Sequence, residues 1–228
     1  MRPKLGESLS TVQKYDSLAL KANNSQETSA VLPYLQHAVE LDPNFAAAHS
    51  YLGLLYASDL QEPGLASEQL RKAYELRDRA SEAERFNIEM NYYTFVTGEV
   101  EKGIKTAHTW ALAYPRDPAP PLSFGYMSAY LGRYEDEVKG SVEAIRLMSD
   151  TGHAYPNLME GYIALNRIDE AKAVYRQAVE QKMDFQFLYD DMYEIAFLEG
   201  DSEEMGRQAA ATVGKPGVED LLLSAVGH

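Results

Sequence analysis

Apolar side chains recur along this chain at helical spacing, in paired runs separated by short polar turns. Tyr155, Leu158, Met159 and Tyr162 stand at i, i+3, i+4 and i+7, and Ile168, Ala171, Tyr175 and Ala178 repeat the pattern after the turn. The spacing predicts two helices packed as a hairpin. The same hairpin recurs with a fixed period. Gly98, Gly132, Asn166 and Gly200 follow one another at 34-residue steps, and glycine and asparagine are the residues that accept the left-handed conformation closing a helix. Two apolar columns keep the same period: Met90, Phe124, Leu158 and Met192 before the turn, and Trp110, Ala144, Ala178 and Thr212 after it. No long alternation of apolar and polar residues and no Asn-Gly or Asp-Gly hairpin turn argues for strands. The fold class is all-α, built by repetition.

Carried along the chain, the register divides it into an N-terminal extension (1–11), an array (12–216) and a C-terminal segment (217–228). The array contains six hairpins, near 12–45, 46–80, 84–117, 118–151, 152–185 and 186–216. Tyr15, Leu18, Ala19, Ala22, Leu35, Ala38 and Pro43 mark the first, and His49, Leu52, Gly53, Tyr56, Ala66, Leu70 and Ala73 mark the second. The second has one extra residue in its turn, around LQEPG. Ser81 with Glu84 forms a capping-box pair, which predicts a helix starting there and longer than its neighbours. Pro121 and Pro156 fall in first turns, where the missing amide hydrogen is harmless. Val218 to Val226, with Leu221, Leu222 and Leu223, reads as a lone terminal helix without a hairpin partner. It is expected to cap the stack or to pair with a second chain as a homodimer.

Composition narrows the chemistry. The chain has 228 residues, 45% hydrophobic and 11% aromatic, with a formal charge of −14. That sign argues against nucleic-acid backbones and anionic membrane surfaces. With no cysteine, disulfides, thiolate metal sites and cysteine nucleophiles are excluded, and a cytoplasmic location fits. No apolar run approaches a membrane span, and the first residues lack the apolar centre of a signal peptide. His37, His49, His108, His153 and His228 show no metal-ligand spacing, so no metal site is expected. Asp190, Asp191 and Glu194 share one helix, and Asp201, Glu203 and Glu204 follow; solvated acid is the reading, with Asp201 as an N-cap and Glu204 three residues on. No phosphate loop, dinucleotide fingerprint, kinase loop or nucleophile elbow occurs. Catalytic residues and cofactors are therefore expected to be none.

The columns resemble the tetratricopeptide repeat (TPR): a large residue, Leu-Gly and Tyr in the first helix, small residues flanking a large one in the second, and a closing proline as in LDPNF at 41–45. Gly103, Glu137 and Met205 depart from the first small alanine, and Trp110 from the second. The resemblance implies an α-solenoid, a right-handed superhelix of about six hairpins plus a C-terminal helix, that works by protein–protein interaction. It implies also that first helices line a concave groove. After the packing columns are removed, the groove candidates are Tyr51, Leu54, Ile88, Tyr92, Phe95, Leu122, Tyr126 and Tyr130 in units two to four. In units five and six they are Asn157, Glu160, Asp190, Asp191 and Glu194. Such a groove is aromatic in its middle and acidic toward its C-terminal end, favouring a basic or amphipathic peptide; the alternative is that the aromatics pack against the next hairpin. Positions that carry cations in family members gripping acidic tails here hold Asp16, Leu20, Tyr51, Arg85 and Glu89, so acidic tails are not expected to bind. The phrases KLGESLSTVQKYD, KAYELRDRASEAERFNIE, GYIALNRIDEAKAVY and AFLEGD further resemble the C-terminal repeat region of acidobacterial serine/threonine protein kinases. That resemblance implies a regulatory segment whose catalytic domain lies elsewhere.

Overall fold

The structure, a computed structural model, describes residues 28–58, 60–149, 152–183 and 186–212. Outside these lie the first helix expected in 12–45, with Asp16 and Leu20, and the terminal helix expected at 217–228. Among the described residues there are eleven α-helices and no strand. The chain divides into two compact units, Met1–Pro120 and Pro121–His228.

In the first unit, α1 (Thr28–Leu41) packs on α2 (Ala46–Ser58), which forms a hairpin with α3 (Pro63–Glu75). A single 3₁₀ turn, Arg77–Arg79, leads to the hairpin of α4 (Glu82–Phe95) and α5 (Val100–Ala113). The α4 capping box forms as expected: Ser81 Oγ accepts from the Glu84 amide, and Glu84 Oε2 accepts from the Ser81 amide at 2.7 Å. At 14 residues α4 exceeds α2, at 13, but equals the α5 with which it pairs. The core has two clusters, one around Val31, Leu35, Leu52, Tyr56 and Ala66, the other around Ala46, Ala73 and Ile88. His49 is buried and held by Gln69 Oε1 at 2.7 Å and the Pro43 carbonyl at 3.1 Å, a packing role.

The second unit holds α6 (Ala119–Ala129), which starts just before the division, then α7 (Tyr134–Leu147), α8 (Ala154–Ala164), α9 (Ile168–Glu180), α10 (Gln186–Glu199) and α11 (Ser202–Thr212). α8 packs on α7, α9 and α10, and α10 on α11. Its core is continuous: Tyr155, Leu158 and Met159 from α8, Ala171, Val174 and Ala178 from α9, and Leu188, Met192 and Ile195 from α10. Burying each of the large side chains contributes about 1.5–3 kcal/mol. Close approach of α6 and α7 needs glycine on both sides, since a Cβ at Gly140 would lie 2.8 Å from the Gly125 Cα and against the Pro121 carbonyl.

The repeated turn residues do what their spacing predicts. Gly98, Gly132, Asn166 and Gly200 all take positive φ, between 57° and 72°. At three of them the next amide reaches back to a carbonyl five residues earlier: Arg133 to Ser128 at 3.0 Å, Arg167 to Tyr162 at 2.8 Å, and Asp201 to Ala196 at 2.9 Å. This satisfies the orphan carbonyls of the first helix and reverses the chain. Asp201 also caps α11, its Oδ1 accepting from the Glu203 and Glu204 amides at 3.1 and 2.9 Å. Two more left-handed residues, Gln61 and Lys182, lack glycine's signature. Gln61 sits in the lengthened turn after α2, and Lys182 closes α9, where the Met183 amide reaches the Ala178 carbonyl at 3.0 Å.

These positions separate two uses of glycine. At Gly132 an added Cβ would meet nothing, so Gly132→Ala is expected to lower stability by about 1 kcal/mol through backbone conformation alone. Gly140→Ala, which collides with backbone, is expected to lower it by more than about 2 kcal/mol. Gly206→Ala, in open space on α11, is expected to raise it by up to about 1 kcal/mol. Urea unfolding of the three variants checks the order; equal effects at Gly132 and Gly140 would contradict the packing of α6 on α7.

Candidate functional site

The basic residues on the helices of the second unit are sorted by helix. α6, α8 and α10, the first helices of their hairpins, carry no lysine or arginine. Lys139 and Arg146 on α7 pair with Asp136 at 2.8 Å and Glu143 at 2.6 Å, and Arg167 pairs with Glu170 at 2.9 Å. Lys172 on α9 holds Glu199 at 2.6 Å, and Arg207 on α11 holds Glu203 at 2.7 Å. These pairs are largely exposed and individually worth little.

Among the described residues Glu160 on α8 and Asp190, Asp191 and Glu194 on α10 are in none of these pairs, and Glu137 from α7 joins them. Glu137 is 1% exposed, and no donor among the described residues reaches its Oε2. Asp190 Oδ1 and Asp191 Oδ2 on α10 are likewise buried without a donor. Burial pushes the Glu137 carboxyl from 4.5 up to about 8, with the Glu160 charge adding to it. Burial also raises Asp190 to about 6. Asp191 is raised by burial first, then by the charges of Glu160, Glu194, Asp190 and Glu137. Glu160 on α8 is raised by loss of water around its carboxyl and by Glu194. The charges acting on these acids are one another's. Asp190 and Asp191 are therefore not the solvated acids that the sequence leads one to expect: α10 presents them to the acidic side of α7 and α8 instead of to open water. No three of the described acids and histidines come together as metal ligands.

Tyr126 on α6 and Tyr130 just after it meet edge-on at 6.3 Å. Burial raises the Tyr126 phenol, with Tyr130 as the lesser cause. Tyr130, 59% exposed, is raised by burial of its hydroxyl and then by the Glu160 charge. Thus Tyr130, Glu137, Glu160, Asp190, Asp191 and Glu194 interact within the second unit. Leu122 and Asn157 are half-buried on α6 and α8.

The first unit treats its candidates differently. Ile88 is 1% exposed and packs with Ala46 and Ala73, so it is core, not groove. Tyr92 stacks on Tyr74 at 3.9 Å and 14°, filling the junction of α3 and α4. Ile88 thus serves the core, and Tyr92 packs against the preceding hairpin, the alternative that the sequence left open for the aromatics. Tyr51 packs beside the cluster of Leu52 and Tyr56, while Leu54 and Phe95 are half-buried.

Glu137 is the residue that sequence reasoning passed over as a mere departure from alanine. A signal was present. Its column is buried at Ala66, Gly103 and Ala171 alike, so a carboxylate there had to be buried too. Its volume is accommodated at Gly161, where a Cβ would lie 3.3 Å from Glu137 Oε2. Ala171 and Ile195, the counterparts 34 residues later, have the sizes reversed, and both lie in the core.

A carboxyl that titrates near 8 when folded and near 4.5 when unfolded makes the folded state bind more protons between those values. Stability is then greatest below about 4.5 and falls as pH rises toward about 8. Glu137→Gln removes this dependence. Its thermal midpoint, followed by circular dichroism, is expected to exceed that of the unaltered chain at pH 8 by the equivalent of about 1–3 kcal/mol and to converge with it near pH 4. A variant less stable at pH 8 than at pH 4 relative to the parent would show that Glu137 is charged and paired in the fold.

No protein-family model and no curated protein matches the chain. Solved structures do. PilW, described as a widely conserved type IV pilus biogenesis factor, is 16% identical over 92% of this chain and 97% of its own, with a TM-score of 0.56. TTC0263, a thermophilic TPR protein in Thermus thermophilus, is 20% identical over 88% of this chain and 98% of its own, with a TM-score of 0.54. A human IFIT1 dimer with m7Gppp-AAAA is 14% identical over 86% of this chain and 48% of its own, with a TM-score of 0.63. What is shared at these identities is the fold, an all-α helical repeat of the TPR kind.

Proposed function

We propose that this chain is a non-catalytic protein-interaction scaffold. Its second unit holds a basic or amphipathic peptide segment of a partner, with Tyr126 and Tyr130 supplying rigid contact area and Glu160, Asp190, Asp191 and Glu194 supplying charge. The observation that carries the reading is the distribution of charge: α6, α8 and α10 carry no lysine or arginine, and Asp190 and Asp191 on α10, with Glu137 on α7, have buried oxygens that find no donor within the described residues. A fully satisfied fold would leave no such oxygens, because an unpaired buried acceptor costs about 1–3 kcal/mol. A cationic ligand offsets that cost, and complementarity of sign gives it specificity.

The solved TPR protein TTC0263 supports the general reading through its fold, since repeats of this kind offer extended surfaces suited to macromolecules. Fold alone does not choose the ligand class, as the IFIT1 dimer with m7Gppp-AAAA shows for that protein. Here the acid excess opposes phosphates. No described helix is long and apolar enough to cross a membrane. A cytoplasmic location and a kinase-linked regulatory role remain compatible proposals, the second resting on the phrases quoted above and checked by reading the genomic frame upstream of Met1.

Fluorescence anisotropy with a labelled, capped oligolysine peptide tests the reading. The unaltered chain is expected to bind it with an affinity that falls as salt rises. The triple variant Asp190→Asn, Asp191→Asn, Glu194→Gln is expected to bind at least about tenfold more weakly while keeping its helical spectrum. Unchanged affinity in the triple variant would remove these acids from the interface.

A further inference from the structure

Glu137 differs in kind from the acids around it. Packing alone is met, one repeat later, by Ala171 against Ile195. At Glu137 and Gly161 the small and large partners are exchanged, which conserves volume but introduces a carboxyl where methyl groups would serve. That carboxyl is 1% exposed, with Oε2 reached by no donor among the described residues. Its electrostatic neighbour is Glu160 on α8, and Asp191 on α10 feels both. Three helices therefore turn acid toward a common region. No three of these acids converge closely enough for a metal ion. A group that satisfies them all once ionised would be cationic, able to span more than a bare ion, and rich in donors. A guanidinium has five N–H donors in a rigid plane, and it is more weakly hydrated than an ammonium, so it loses less on burial.

Resting on the reading of the second unit as a partner-binding face, we propose that Glu137, Glu160 and Asp191 form a receptor for one arginine side chain of the partner, with Asp190 and Glu194 at its rim. Entry of the guanidinium is coupled to protonation. Without ligand, the buried Glu137 carboxyl retains its proton at neutral pH. On binding, a carboxyl O–H gives its proton to the buffer, and the resulting carboxylate accepts N–H hydrogen bonds from the guanidinium. Glu160 from α8 acts on Glu137 directly, and Glu137 acts on Asp191 from α10; Asp190 and Glu194 act on Asp191, Tyr130 just after α6 feels the Glu160 charge, and Ser141 stands one turn along α7. Arg167, at the start of α9, is engaged by Glu170 and Glu135.

Titration calorimetry on the full chain tests this with a capped Gly/Ser peptide carrying one central arginine, beside its lysine and citrulline counterparts. The arginine peptide is expected to bind, the lysine peptide about tenfold more weakly, and the uncharged citrulline peptide not measurably. Affinity for arginine is expected to rise between pH 6 and pH 8. Heats in two buffers of different ionisation enthalpy are expected to show net proton release. Glu137→Gln is expected to weaken the arginine peptide at least about tenfold and to suppress proton release, with its melting point at or above the parent's, so that loss of binding is not loss of fold. Equal binding of arginine and citrulline, or full affinity in Glu137→Gln, overturns the receptor. If Glu137→Gln binds fully while the Asp190, Asp191 and Glu194 triple variant does not, the receptor falls and the acidic face stands. A parent chain that binds none of the peptides removes the receptor, and with oligolysine also unbound, the face as well.

Discussion

A helical hairpin closes only where side chains are small enough for two backbones to approach, and this requirement organises the molecule. Ala66, Gly103 and Ala171 fill the tight column of successive second helices. Gly140 and Gly125 bring α6 and α7 together so closely that a single Cβ would collide with backbone. Because these places admit no bulk, large side chains are directed to the junctions between hairpins, where Tyr155, Met159, Leu188 and Ile195 lie fully or almost fully buried. Repetition follows: a hairpin cannot shield its own outer stripe from water, so each supplies what its neighbour lacks.

The exchange at Glu137 and Gly161 obeys that volume rule while breaking the rule of polarity. The carboxyl is tolerated because it can hold a proton. A neutral acid in a dry site avoids the desolvation of a charge, and its neighbours Glu160 and Asp191 make ionisation harder still. Meanwhile Lys139, Arg146, Lys172 and Arg207 are committed to acids elsewhere. The second unit thus keeps its helical cations on α7, α9 and α11, while Glu137, Asp190 and Asp191 have buried oxygens that no donor among the described residues reaches. Neutral protonated acids preserve stability at the expense of hydrogen bonding, and a donor-rich cation reverses that balance.

Sequence and structure agree most closely where a residue's effect is local. The left-handed turns at Gly98, Gly132, Asn166 and Gly200, the capping box of Ser81 and Glu84, and the cap at Asp201 depend on atoms within a few residues, so residue type suffices to find them. Agreement weakens at Gln61 and Lys182, whose left-handed backbone is imposed by the helices they join and not by their own preference. It weakens again at Ile88 and Tyr92, whose packing against Ala46 and Ala73 and against Tyr74 depends on partners in the preceding hairpin that spacing along α4 does not reveal.

The amino-acid sequence by itself determined that the chain is helical, that its helices pair, where the pairs turn and which columns are apolar, since periodicity and turn chemistry are written in neighbouring residues. Only the tertiary structure decided which acids share a region. Glu137, Glu160 and Asp191 stand on three different helices, and the burial of Glu137 Oε2 and Asp191 Oδ2 without a donor among the described residues is a property of the packed space between those helices, to which no stretch of sequence refers.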